Sequence, residues 1–348
     1  MFSILKPFLF SLDPETAHDF AIKSLKFNPL PKKMFEVEDE QMLEVDLLEK
    51  NFPNPIGLAA GFDKSAEVYN SILNLGFGFV EVGTVTPLEQ FGNPKPRIFR
   101  LEKEGALINR LGFNNDGMEI VKNRIKLNGK KGILGINIGP NKDTKDQKKD
   151  FCIGLKNFLD IADYITINIS SPNTSGLRDF HDQTKLENLL KDLNKIKKKN
   201  KTSIPLLLKI SPDIENSHVT EIVSVVKKCD ISGIILTNTT NGNRDKLSSA
   251  IKKEEGGLSG EPLREISTAI IKKFYKKLDG KIPIIGVGGI NSGNSAYEKI
   301  VAGASLLQLY TGFVYRGPTA AKNIKQELIQ ILKSKGAKSL KEIVGSEV

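Results

Sequence analysis

Apolar residues in this chain fall in short continuous runs rather than in alternation, and polar residues gather where each run stops. Eight such runs stand out, at residues 56–60, 79–85, 132–138, 164–170, 205–211, 233–239, 283–289 and 306–311. Ile, Val and Leu fill their bodies, and Gly, Asn, Ser, Thr or Lys closes most of them. A strand buried on both faces reads as a continuous apolar run. Segments of helix length separate the runs, so the pattern predicts a (β/α)8 TIM barrel. In that fold the chemistry sits at the C-terminal strand ends, where these polar residues cluster.

Ahead of the first run the period changes. Residues 1–12 are dense in Phe, Ile and Leu. A helix is then predicted from Asp13-Pro14-Glu15, with Asp13 as cap and Pro14 in the first turn. Ala17, Phe20, Ala21, Ser24 and Leu25 share one face of it at helical spacing. Lys6, Lys23, Lys26, Lys32 and Lys33 flank these helices. Two short amphipathic helices with basic flanks suit a membrane interface. The competing expectation is a cap on the barrel, with Phe2, Phe8 and Phe10 in a small core. The division expected is therefore a helical extension over residues 1–40 and a barrel over 41–348.

The polar strand ends carry candidate chemistry. The first run leads into Ala59-Ala60-Gly61-Phe62-Asp63-Lys64, small residues that let a flat ligand approach the backbone, followed by a cation at the barrel mouth. The second ends in Gly83-Thr84 and opens a long connection containing Arg100 and Asn109-Arg110-Leu111-Gly112-Phe113, and long connections in compact folds are more often functional than not. Asn137, then Asn168-Ile169-Ser170-Ser171-Pro172-Asn173-Thr174, then Lys209, then Thr237-Asn238-Thr239 close the next four runs. One asparagine at a strand end reads as a turn residue. Several converging on one mouth point to a ligand with amide-like edges, because buried amides need partners. Lys209, inside an apolar run, needs an anionic partner. Glycine turns after the seventh and eighth runs, at Gly286–Gly289 and at Tyr310-Thr311-Gly312, match a frequent barrel phosphate site. Gly256 to Gly260 reads as a flexible loop over the same face.

Composition narrows the class. The chain has 348 residues, 39% of them hydrophobic, with a net charge of +10. A barrel takes roughly 250 residues. Two cysteines, Cys152 and Cys229, cannot make a disulfide framework, so a reducing compartment is expected. No apolar run approaches the ~20 residues of a membrane span, and the first residues lack the pattern of a signal peptide. The lysine excess comes in runs at 195–201, 252–253 and 272–277 with few interleaved aromatics, which reads as a solvated surface rather than a nucleic-acid site. His18, His181 and His218 are far apart and lack carboxylate spacing, so no metal is expected.

Taken together, Ala60-Gly61-Phe62-Asp63-Lys64, Asn109-Arg110-Leu111-Gly112-Phe113, Asn168-Ile169-Ser170-Ser171-Pro172-Asn173-Thr174 and Gly286-Val287-Gly288-Gly289-Ile290 closely resemble the dihydroorotate dehydrogenase family across essentially the whole chain. The resemblance is to class 2, the membrane-associated, quinone-reducing branch. Ser171 stands where class 1 carries Cys, and class 1 lacks the extension. The resemblance implies oxidation of dihydroorotate to orotate in pyrimidine biosynthesis, with hydride passing to FMN, one per subunit, and electrons then to a quinone. It places FMN against Ala60, Gly61, Lys64, Thr84, Asn137, Asn168, Lys209, Thr237, Gly260, Gly289, Tyr310 and Thr311. It places the substrate against Lys64, Asn109, Arg110, Leu111, Gly112, Phe113, Asn168, Asn173, Asn238 and Thr239. Ser171 would be the catalytic base, under a loop over residues 170–182, and His18 and Arg100 would line the quinone tunnel. Ser175 stands where the family pattern has Pro. A monomer, peripheral on an anionic membrane at the cytoplasmic face of a bacterial inner membrane and without nucleic acid, is the expected setting. The alternatives are a class 1 enzyme with a soluble acceptor, a dihydrouridine-synthase-like enzyme acting on tRNA, a non-redox phosphate-binding barrel, and a scaffold without activity.

Overall fold

A computed structural model describes the chain apart from Met1, Asn28, Pro29, Ser175 and Lys246. In chain order its strands are β1 (Val45–Leu47), β2 (Lys50–Phe52), β3 (Ile56–Leu58), β4 (Phe79–Val85), β5 (Ile98–Leu101), β6 (Ala106–Asn109), β7 (Ile133–Ile138), β8 (Tyr164–Asn168), β9 (Leu206–Ile210), β10 (Gly233–Leu236), β11 (Gly257–Gly260), β12 (Ile284–Val287) and β13 (Leu306–Leu309). Eight of them close a parallel barrel in the order β3, β4, β7, β8, β9, β10, β12, β13, with β13 paired back onto β3. These are the eight apolar runs, and their outer halves are covered by helices between the strands. The ladder still pairs Asn137, Asn168 and Lys209, and it stops short of the polar or glycine residues that end the β10, β12 and β13 runs. There the backbone leaves the ladder and turns over the mouth.

The bottom of the barrel is plugged by aromatic rings. Phe52 of β2 meets Phe79 edge-on at 5.3 Å, and Phe79 meets Tyr164 at 6.4 Å. Gly57 and Gly135 make room for these rings: a Cβ at either would lie 2.3 Å from Phe79 or 2.1 Å from Tyr164. The β1–β2 hairpin carries Phe52 there, and its turn places Leu48 and Glu49 at φ 53° and 58°. Such turns usually announce themselves with Asn or Gly, which is why this hairpin is not legible in the pattern.

Across the mouth lies a second sheet of β5, β6 and β11, antiparallel throughout. This corrects the expectation of a flexible loop at Gly256 to Gly260. Gly257–Gly260 is a paired strand, with Gly257 opposite Asn109. Gly257 is glycine because a Cβ there would sit 1.9 Å from Thr239 Oγ1. Gly257 serves close approach, while Gly256 and Gly260 also take up φ values of 129° and 95° that favour glycine.

Helices α1 (Phe2–Ser11) and α2 (Pro14–Phe27) stand beside this sheet. Asp13 caps α2 as expected, its Oδ1 accepting from the N–H groups of Glu15 and Thr16 at 3.0 Å. The buried face of α2 differs from the expected one. Ile22 is buried and Leu25 packs on the core, while Phe20 is 51% exposed. A bidentate ion pair decides the rotation: Glu15 accepts from Arg97 Nη2 at 2.5 Å and Nε at 3.1 Å. Among the described residues no helix is long and apolar enough to cross a membrane.

Candidate active site

The strand ends enclose one cavity at the barrel mouth, roofed by β6, β11 and the loop after β8. Of the expected cofactor residues, Ala60, Gly61, Lys64, Thr84, Asn168, Lys209, Thr237, Gly260, Gly289, Tyr310 and Thr311 line it. Of the expected substrate residues, Asn109, Leu111, Gly112, Phe113, Asn173, Asn238 and Thr239 line it with Ser171. Four expected residues stand elsewhere. Asn137 is fully buried behind Thr84, bonded to it at 2.6 Å. Arg110 turns outward, pairing with Glu254 at 2.7 Å and stacking on Phe99 at 4.6 Å. Arg100 donates to the carbonyls of Leu12 at 2.8 Å and Phe10 at 3.1 Å, so it tethers the end of α1. His18 faces an adjoining polar cavity with Glu15, Lys64 and Arg97, its ring edge-on to Phe62 at 4.9 Å. Ser175 lies outside the described residues.

Beneath the cavity runs one continuous chain of hydrogen bonds. Asn137 Nδ2 donates to Glu81 Oε1 at 2.8 Å, and Thr84 Oγ1 donates to Asn137 Oδ1. Asn168 Nδ2 donates to Thr84 Oγ1 at 2.9 Å, while Asn168 Oδ1 accepts from the N–H (3.2 Å) and hydroxyl (2.8 Å) of Ser170. Asn238 Nδ2 donates to Ser170 Oγ at 2.8 Å, and Asn238 Oδ1 accepts from the N–H of Thr239 at 2.7 Å. The other oxygen of Glu81 accepts from Gln308 at 2.9 Å and from Tyr164 and Thr166 at 3.1 Å. Glu81 and Gln308 were not among the residues expected at the site. The signal was present, since a carboxylate or amide inside a doubly buried run needs a partner.

Charges are placed unevenly. Burial lowers the pKa of Lys209, with Glu81 pulling the other way. Glu81 is the carboxylate whose charge acts on Lys209, and among the described residues no ion pair is formed with its ammonium. Burial and the Arg97 charge lower Lys64 to about 8, opposed by Glu15 and Asp19. Burial, with Lys64 nearby, lowers His18 to about 4, so its imidazole is neutral. Ser171 Oγ accepts from the N–H of Asn173 at 3.2 Å. The Asn173 amide donates to the Asn109 carbonyl at 3.2 Å, which ties the loop to the roof.

The family model for dihydroorotate dehydrogenase matches residues 42–332. The chain belongs to the dihydroorotate dehydrogenase family. It is 47% identical over 340 residues to the dihydroorotate dehydrogenase (quinone) of Bartonella tribocorum, across 96% of this chain and 93% of that protein. It is 44% identical over 349 residues to that of Parvibaculum lavamentivorans, across 100% and 99%. Among solved structures, the Eimeria tenella dihydroorotate dehydrogenase in complex with ferulenol superposes with a TM-score of 0.92 at 39% identity, covering 96% of both chains. For a dihydroorotate dehydrogenase, the donor set fits FMN. A buried cation without an ion-pair partner suits the flavin's pyrimidine edge. Gln308 Oε1, buried beside the cavity and unpartnered among the described residues, offers an acceptor to an imide N–H. The glycine turns at Gly288-Gly289 and Thr311-Gly312 close the far end, where a phosphate would need backbone donors.

Proposed function

We propose that this chain oxidises dihydroorotate to orotate and passes the electrons through FMN to a quinone. The observation that carries the reading is the convergence of two sets of residues in one cavity. Lys64, Asn109, Asn173, Asn238 and Ser171 line it together with Lys209, Gln308 and the glycine turns, so groups suited to a small acidic ring and groups suited to a flavin meet in the same space. Bound FMN would supply the hydride acceptor. The chain's own residues would do the rest. Lys64 would hold the substrate carboxylate, and the asparagine amides would fix both faces of the ring, so the reacting carbons are oriented before reaction. Lys209 would stabilise the negative charge that reduction brings to the flavin, at no reorganisation cost because it is already in place. Ser171 would take a proton from substrate carbon. A serine is a weak base, so its proton must be passed onward, and Thr174, buried three residues along, or a water is the candidate carrier.

The helices fit a supporting role in quinone delivery, with residues 1–40 as the extension and 41–348 as the catalytic barrel. Ile4, Phe8 and Phe27 are 80%, 59% and 86% exposed, and lysines flank them. Exposed apolar side chains with basic flanks suit a peripheral anchor on an anionic bilayer, at the cytoplasmic side of a bacterial inner membrane and in a monomeric enzyme. His18 and Arg100 would border the quinone path, the first as a neutral ring and the second as the tether of α1.

Anaerobic mixing with dihydroorotate, followed by a soluble quinone, tests the reading. Bleaching of the flavin band and its recovery on quinone addition are expected. A protein that retains FMN but is not bleached would refute the substrate.

A further inference from the structure

We infer that Glu81 is the positioning residue that, with the backbone N–H groups of Ser170 and Thr239 at the other end of the chain, holds the amides of Asn168 and Asn238 facing one way, and so decides which donors and acceptors the cavity offers its ligands. The inference rests on reading that cavity as the FMN and dihydroorotate site.

The direction of each hydrogen bond is fixed by its neighbours. A carboxylate only accepts, and a backbone N–H only donates. Glu81 stands at one end of the chain, and the N–H groups of Ser170 and Thr239 stand at the other. Every bond between them must then point the same way. Asn137 gives its Nδ2 to Glu81, so its Oδ1 faces Thr84. Thr84 spends its only proton there and must accept from Asn168. The Asn168 oxygen is thereby turned to Ser170, whose Oγ accepts from Asn238. No member can reverse alone without setting donor against donor. Glu81 itself never reaches the ligand. It is fully buried, and its second oxygen is saturated by Tyr164, Thr166 and Gln308. A buried charge with this many donors costs desolvation energy that a neutral residue would not, which is reasonable where the charge fixes a direction.

The test is Glu81→Gln, alone and with Asn137→Asp. In the single variant the new amide presents a donor on one side. Either Asn137 turns its oxygen to it, and the reversal runs along the chain until Asn168 meets the Ser170 N–H donor to donor, or Gln308 turns over at the cavity wall. In the double variant the carboxylate moves one position along. The amide at position 81 then donates to the carboxylate at position 137, Thr84 still donates, and every amide beyond it keeps its direction at unchanged net charge. FMN is titrated into the flavin-stripped full chain and followed by fluorescence quenching. Orotate is then titrated into the reloaded protein and followed by the flavin absorption shift. Glu81→Gln is expected to weaken both about tenfold or more, and the double variant to restore both to within about threefold of wild type. Wild-type affinities in Glu81→Gln would overturn the inference. So would a loss that the double variant leaves uncorrected, which would make the charge at position 81 itself the requirement. If the single variant is insoluble, a soluble, flavin-binding double variant supports the inference and an insoluble one overturns it. Failure of the wild-type chain to bind FMN would instead overturn the reading of the cavity.

Discussion

Replacing Glu15 by Gln should loosen α2 from the barrel by about 2 kcal/mol. Glu15 and Arg97 are 82 residues apart, joined by two hydrogen bonds at 2.5 and 3.1 Å, with side chains only 12% and 7% exposed. Removing one partner of a buried pair costs about 3–5 kcal/mol when the survivor is stranded. Arg97 is not stranded, since it also donates to the carbonyls of Phe91 at 2.6 Å and Asn93 at 2.9 Å. The substituted glutamine would also keep one accepting oxygen. The lower figure follows, and it lowers the docking equilibrium about 30-fold. Limited proteolysis reads this directly, because cleavage of a transiently opened segment follows its open population. Cleavage within the first 27 residues should accelerate by up to that factor, while the flavin-bearing barrel keeps its melting temperature. The pH dependence gives a second check. Burial alone would raise the Glu15 pKa, but the Arg97 hydrogen bond and charge, with Lys95, bring it below its ordinary 4.5. A depressed carboxyl stabilises docking above the unfolded value and loses that contribution as pH falls through the folded one. Wild-type α2 should therefore loosen as pH falls below 4.5, and Glu15→Gln should lose this component. Equal cleavage rates for the two proteins at neutral pH would refute the reasoning.

Ser171→Ala should slow flavin bleaching by dihydroorotate about 10²–10⁴-fold with flavin content unchanged, and unaltered reduction kinetics would exclude it as the base. With Lys64 at about 8, kcat/KM for dihydroorotate should fall as pH rises through that value, because the ammonium that holds the carboxylate is lost; Lys64→Met should abolish the break, and a profile flat to about pH 9.5 would refute the role. Ile4→Glu with Phe8→Glu alters only exposed side chains, so the protein should fold and reduce its flavin normally but lose sedimentation with anionic vesicles; retained binding would show that α1 is not the anchor.

The barrel was legible because a parallel strand buried on both faces has no freedom in composition: all eight apolar runs are barrel strands, and the polar residues that end them rim one cavity. Lys209 and most of the asparagines were found by that register, and Ser171 was singled out by the family resemblance. What the sequence left open depends on contacts between distant residues. The β1–β2 turn uses Leu48 and Glu49 where a local signal would be Asn or Gly. Gly257 reads as freedom, yet Thr239 requires it. The rotation of α2 follows from Arg97, far along the chain, and Arg110 turns outward because Glu254 is there. Glu81 lay in plain view inside an apolar run. Its meaning came only with Asn137, Tyr164, Thr166 and Gln308, brought from three other strands to satisfy one carboxylate. Local composition determines where a chain can be a buried strand. Only the closed barrel decides which buried polar atoms meet, because each must find its partner across the fold rather than along the chain.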